Sequence, residues 1–252
     1  MWHCRLNHLP FIHMFKLSEQ GYLPKRFLLF NNNQYKLYCP SCIFAKMKRR
    51  PWRHKGQYRP IRRENENAPG IRVSVDQVVS QQPGLIGIIE GIHTRKIIYG
   101  VTVFKDHFTN LSYSYFNTSL NTEEKIQSKF SFEQFSTSNG VNVHAYHADN
   151  GRFAEKGFRD AVQLAGQKLT YCGVGTHNQN GIVERHIQEL TMATRSLILH
   201  AQQIWPEVIS TLLWPFAWSA AEYQYNNLRF KNGKSPMQNY TNNTCSRLNI
   251  VD

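Results

Sequence analysis

Apolar and polar residues alternate over Ile71-Arg-Val-Ser-Val-Asp-Gln-Val-Val, the period-two pattern of a strand with one buried face. Two more β-rich runs follow at residues 96–104 and 111–116, and Asp106, His107, Thr109 and Asn110 supply turn chemistry between them. Residues 122–136 predict a helix, with Asn121 or Thr122 as N-cap and Glu123 and Glu124 in the first turn, where the helix dipole favours anions. Next come a short strand over 141–147, a loop at Asp149-Asn-Gly, a helix over 155–165, a strand over 169–172 and a long helix over 181–200. The order βββαβαβα is that of a mixed α/β domain. Upstream, Phe11, Met14, Phe15, Leu17 and Leu23 have helical spacing, with Gly21 placed to end the helix. Downstream, Trp205, Trp214, Phe216 and Trp218 recur among Ile, Leu and Ala at the spacing of core helices.

Composition adds that 252 residues, 41% of them hydrophobic, suffice for one substantial core and a small satellite domain. The uninterrupted apolar runs are a few residues long, against about 20 needed to span a bilayer, and Met1-Trp2-His3-Cys4-Arg5 does not open a secretory signal. Charge changes the picture more. The chain carries a formal +13, and residues 1–70 hold 14 Lys and Arg against 3 acids. Nine of those cations (Lys46, Lys48, Arg49, Arg50, Arg53, Lys55, Arg59, Arg62 and Arg63) fall in one stretch without a carboxylate, the footprint of a polyanion partner. Trp52 and Tyr58 within it offer stacking surfaces and favour nucleic acid over a solvated linker or an import signal.

Five cysteines are too few for a disulfide scaffold, and Cys39-Pro-Ser-Cys42 is a knuckle that presents two thiolates to one ion. His3 and His8 complete the spacing H-x4-H-x30-C-x2-C, a closed tetrahedral set for structural Zn2+, with His13 and Cys4 as substitute ligands. A segment of this size buries little, so chelation is expected to melt residues 1–45 and leave the rest standing. Three carboxylates lie where strands or helices meet loops: Asp76, Asp149 and Glu184. Singly they read as a strand-edge polar residue, a turn residue and a solvated helix acid. Together they make an oxygen cage suited to hard divalent cations.

These blocks resemble the integrase region of a Copia-type long-terminal-repeat retrotransposon. Trp2-His3 to His8 with Cys39 and Cys42 is similar to the pre-integrase zinc segment. His147-Ala-Asp149-Asn150-Gly151 is similar to the block holding the second catalytic Asp, and Asn178-Gln-Asn-Gly-Ile-Val-Glu184-Arg185 to the block holding the catalytic Glu. The resemblance runs from Met1 to about Pro236. It implies an RNase H-like integrase core, a mixed five-stranded sheet with flanking helices, behind a small helical zinc domain. Its boundaries would be 1–45 (zinc), 46–70 (basic linker), 71–230 (catalytic core) and 231–252 (a truncated tail).

By the same resemblance, Asp76, Asp149 and Glu184 hold Mg2+ or Mn2+ for DNA end processing and strand transfer by a polynucleotidyl transferase. Lys46, Lys48, Arg49, Arg50, Arg53, Lys55, Asn180 and Arg185 contact DNA, the active form is a homo-oligomer, and the place of action is the nucleus. The sequence departs from the family pattern at three points: 34 residues separate Asp149 from Glu184, one fewer than usual; Asn7 replaces a Gly; His177 replaces a Pro. A second reading is a decayed or domesticated relative that binds DNA without catalysing.

Overall fold

The structure, a computed structural model, describes residues 2–25, 38–47, 67–86, 97–172 and 180–242. The predicted strands form one five-stranded sheet in the order β3-β2-β1-β4-β5. β1 (Val73–Gly84), β2 (Ile98–Asp106) and β3 (Ser112–Asn117) run antiparallel, and β4 (Ala145–Ala148) and β5 (Lys168–Tyr171) continue the sheet parallel to β1. Helices cover both faces. On one, Val73, Val75, Phe104, Tyr146 and Ala148 pack against Phe132 of α4 (Thr122–Ser138) and Phe158 and Val162 of α5 (Lys156–Leu164). On the other, Val101 and Val103 pack against Val183 and Leu190 of α6 (Gly181–Ile204) and Trp218 and Ala221 of α7 (Trp214–Leu228). Phe104 and Val103 are adjacent yet serve opposite cores, which is why β2 is buried along most of its length.

Two strands differ from the sequence pattern. β1 extends past Val79 to Gly84, where Gly84 pairs with Ile98 beyond an irregularity in the ladder. β4 is shorter than the alternation over 141–147 predicts, because Val141 and Val143 are buried, at 8% exposure each, without joining the ladder. The α4 cap is as predicted, with Asn121 Oδ1 accepting from the Glu124 amide at 3.0 Å. Asn121→Ala should therefore cost about 1 kcal/mol, read as a lower urea midpoint with an unchanged slope.

The first helices α1 (Trp2–Arg5), α2 (Phe11–Glu19) and α3 (Pro40–Lys46) do not stand apart as a satellite. Leu6, Leu9, Met14, Leu17 and Leu23 share one apolar cluster with Leu228 and Phe230. Gln224 donates to the carbonyls of Leu6 and Asn7, and Ser41 Oγ donates to Gln203 Oε1 at 3.3 Å. Gly21, at φ +81, ends the α2 segment where the sequence placed the stop. At the other end, the chain past residue 230 is folded: α8 (Pro236–Thr241) carries a Ser235/Gln238 capping box, and Tyr240 is buried with its hydroxyl on Ser136 Oγ at 2.8 Å. Past an exposed turn at 231–234, residues 235–241 therefore pack onto the core rather than form a tail. Of the four aromatics at that spacing, Trp218 is buried and Trp214 packs beside it, whereas Trp205 and Phe216 are 57% and 47% exposed and contribute little to a core. No helix among the described residues is long and apolar enough to cross a membrane.

Candidate active site and metal centre

Parallel pairing of β1 with β4 sets Val75 opposite Ala148, so Asp76 and Asp149 are the next residues along two neighbouring strands. β4 ends at Ala148, so Asp149 opens the loop at the carboxyl end of its strand, where ligands of open α/β sheets bind. The third carboxylate arrives on α6. Asn180 Nδ2 donates to the Val75 carbonyl at 3.4 Å, tying the start of the helix to the residue before Asp76. Val183 is fully buried in the sheet face, leaving Glu184 half-buried in the first turn.

Electrostatics join the three. Burial pushes the Asp76 carboxyl up to about 6, and the charges of Glu184 and Asp149 push the same way. The Gln77 amide, 2.8 Å from Asp76 Oδ1, and the Arg152 guanidinium oppose them. Buried Cys172 lies in the same field: burial raises its thiol, and Asp149, Glu184 and Asp76 add to the rise. Its sulfur sits 3.6 Å from His147 Nε2, and His147 Nδ1 is 2.9 Å from Thr170 Oγ1.

The three acids are hard oxygen donors of the kind Mg2+ and Mn2+ take. Among the described residues, the sets whose donor atoms all lie within 4.8 Å of one another are His/Cys sets, and the carboxylates are more widely spread.

The raised Asp76 value has a consequence for metal-free protein. Between its ordinary value of 3.8 and about 6, the unfolded chain ionises Asp76 while the folded chain keeps the proton. Stability is therefore lost as pH rises through that window, by about 3 kcal/mol in total from this group. Asp76→Asn should flatten that part of the slope in urea unfolding at pH 4 and pH 7 in EDTA. Asp106 and Glu222, also raised by burial, contribute equally to both proteins and cancel in the comparison. Identical slopes for both proteins would refute the assignment.

Of the predicted nucleic-acid contacts, Lys46 is exposed at the end of α3, and Arg185 is exposed one residue past Glu184. Lys48, Arg49, Arg50, Arg53 and Lys55 lie outside the described residues, as does His177. Asn180 is a correction: at 1% exposure, with its amide on Val75, it positions α6 against β1 and offers no surface to a polyanion. Residues that sequence reasoning missed stand beside the acids. Arg152 Nη1 donates to Gln77 Oε1 at 3.4 Å, and buried Lys125 reaches from α4 to the Arg152 carbonyl (3.1 Å) and Glu155 Oε1 (2.6 Å), bracing the loop after Asp149. The position of Arg152 three residues past Asp149 was a usable signal; a lysine buried within a helix left none.

The four predicted zinc ligands converge. His3 Nε2 is 3.3 Å from Cys42 Sγ and 3.3 Å from His8 Nδ1, which lies 3.3 Å from Cys39 Sγ and 3.5 Å from Cys42 Sγ. A tetrahedral Zn2+ with bonds of about 2.0–2.3 Å separates its donors by about 3.3–3.8 Å, so the set fits the ion. His3 Nδ1 donates to the Leu9 carbonyl at 2.9 Å, which leaves Nε2 with its lone pair facing the cluster. Desolvation lowers both histidines, His8 to about 4, favouring the neutral rings a metal needs. Asn7 and His8 take φ values of 51° and 61°, turning the chain so that the His8 amide returns to the His3 carbonyl. Asn tolerates this left-handed conformation, which is the reason a glycine suits that position equally. His13 is outside the set, and Cys4 belongs to a second one with His8 and His200.

No protein-family profile matches the sequence, nor does any curated protein. Solved structures do match. The catalytic core domain of HTLV-2 integrase in complex with magnesium is 15% identical over 69% of this chain and 97% of that one, with a TM-score of 0.48. The BIV integrase core is 17% identical over 69% and 95%, also at 0.48. A simian T-cell lymphotropic virus intasome in complex with PP2A regulatory subunit B56 gamma is 16% identical over 94% and 76%, with a TM-score of 0.55. The likeness is one of fold: a mixed five-stranded sheet with flanking helices, in the arrangement of an RNase H-like integrase core.

Proposed function

We propose that this chain is the integrase region of a Copia-type retrotransposon, a metal-dependent polynucleotidyl transferase that trims the ends of element DNA and joins them to target DNA. The observation that carries the reading is the shared electrostatic field of Asp76, in the fourth position of β1, Asp149, just past the carboxyl end of β4, and Glu184 in the first turn of α6. Asp76, Asp149 and Glu184 would hold two Mg2+ or Mn2+ ions, which supply activation of an attacking oxygen and stabilisation of a leaving one.

The chain's own residues do the rest. Asn180 and Val183 fix the reach of Glu184 towards the strands. Exposed Arg152 and Arg185 flank the acids, placed to hold phosphodiester oxygens without reacting. In processing, water forms a bond to phosphorus as the bond to the departing 3′ oxygen breaks. In strand transfer, the processed 3′-hydroxyl oxygen bonds to a target phosphorus as the bond from that phosphorus to the target strand's own 3′ oxygen breaks, leaving a target 3′-hydroxyl. Joining two ends in concert calls for at least two copies of the chain, and the basic stretch from Lys46 onward would track the DNA. The work would be done in the nucleus.

The test is a strand-transfer assay with the full chain, a duplex carrying terminal-repeat ends and a plasmid target, in Mg2+, in Mn2+ and in EDTA. Joined product that requires the ion supports the enzyme. Bound DNA without product in either ion supports the alternative of a non-catalytic DNA-binding relative, for which the short Asp149–Glu184 spacing is the motivating observation.

A further inference from the structure

His8 uses one ring nitrogen in the four-ligand set and has another to spare. Its Nδ1 faces His3, Cys39 and Cys42, while Nε2 is buried, on a residue only 6% exposed, with no hydrogen-bond partner among the described residues. An imidazole nitrogen sealed from water without a partner is costly, and such a group calls for a ligand. His200, near the end of α6, stands edge-on to the His8 ring with centroids 4.7 Å apart. Cys4, the residue after His3, completes the group, and donor atoms of Cys4, His8 and His200 all lie within 4.8 Å of one another. Both Cys4 and His200 are half-buried, so a way in from solvent exists.

We propose that Cys4, His8 and His200 form a second metal site, for a thiolate- and imidazole-preferring divalent ion such as Zn2+, bridged to the first through the His8 ring. The inference rests on the zinc reading of His3, His8, Cys39 and Cys42. The donors select against Mg2+ and Ca2+, which take oxygen. Three protein ligands leave a fourth position for water or an added thiol, unlike the closed first site. The charges balance. The first ion is neutralised by the Cys39 and Cys42 thiolates. The second ion is neutralised by the Cys4 thiolate and by the His8 ring, which gives up its remaining N–H proton to become a bridging imidazolate. Filling the second site thus releases two protons, one from each group. It also fastens α1 to α6, the helix that carries Glu184.

The experiment is metal content of the full chain after equilibration with Zn2+ and removal of loose ion, together with a Co2+ titration followed at the thiolate-to-cobalt charge-transfer band. Two ions per chain are expected, the second binding with release of two protons and adding one thiolate's worth of absorption. Cys4→Ser and His200→Gln, which leave the first set untouched, should each retain one ion. One ion in the unaltered chain would overturn the second site and leave the first standing. A second ion that persists in both variants would overturn it as well. No bound ion at all would overturn the zinc reading of the four-ligand set, and this proposal with it.

Discussion

Glu184→Gln should abolish metal-dependent joining, by at least about a thousandfold or ~4 kcal/mol of transition-state stabilisation, while DNA binding is retained. The substitution keeps the shape of a half-buried side chain in the first turn of α6 and removes only its charge. Val183 and Leu190, which hold the helix on the sheet, are not disturbed. The assay pairs joined product with a binding measurement on the same duplex, and full activity would sink the triad. The variant has a second readout independent of catalysis. Glu184 is one of the charges that push Asp76 up, so its removal should bring the Asp76 carboxyl down, read in EDTA as a smaller loss of stability between pH 4 and pH 7.

Stripping the His3/His8/Cys39/Cys42 ion should unfold the first three helices and also weaken the domain beneath them. A structural zinc supplies on the order of 10 kcal/mol or more of folding free energy in small peptides, comparable with the whole margin of a typical domain. The sequence alone predicts that the rest of the chain stands unaffected. The structure makes the loss shared: Leu228 and Phe230 would lose their cover, and Gln224 its two carbonyl partners. Circular dichroism in EDTA should show lost helix, and the urea midpoint of the remaining transition should fall. Cys42→Ser should behave in the same way without chelator. Helicity and midpoint both unchanged at full metal loss would refute the coupling.

How far the sequence foretold this depends on whether a signal is local. The strand alternation from Val73 to Val79, the Asn121 cap and the Gly21 stop are encoded within a few residues, and each lies where the pattern put it. The ligand set was legible because Cys39 and Cys42 share one turn and His3 and His8 share another. Long-range contacts were not. Nothing near Leu6 announces Leu228, and nothing near Asn180 announces that Val75 will claim its side chain. Burial also mimics strand periodicity, as at Val141 and Val143. Aromatic spacing, in turn, suggested a continuous core from Trp205 onward, but of Trp205, Trp214, Phe216 and Trp218 it is Trp214 and Trp218 that pack inward. Lys105, a lysine sealed within β2 at 2% exposure, has no local signal of that burial either.

α6 carries Glu184 in its first turn and meets the amino-terminal helices near its other end, through His200 and Gln203. His200 lies sixteen residues along the helix from Glu184, a rod of about 24 Å whose two ends are phased by a fixed twist of about 100° per residue. Deleting one residue between them would leave each end intact locally yet swing His200 away from His8 by more than a quarter-turn. This helix is thus a gauge whose length is counted in whole residues. Insertions and deletions tolerated in the loops between strands should be purged here, even where every side chain involved is exposed.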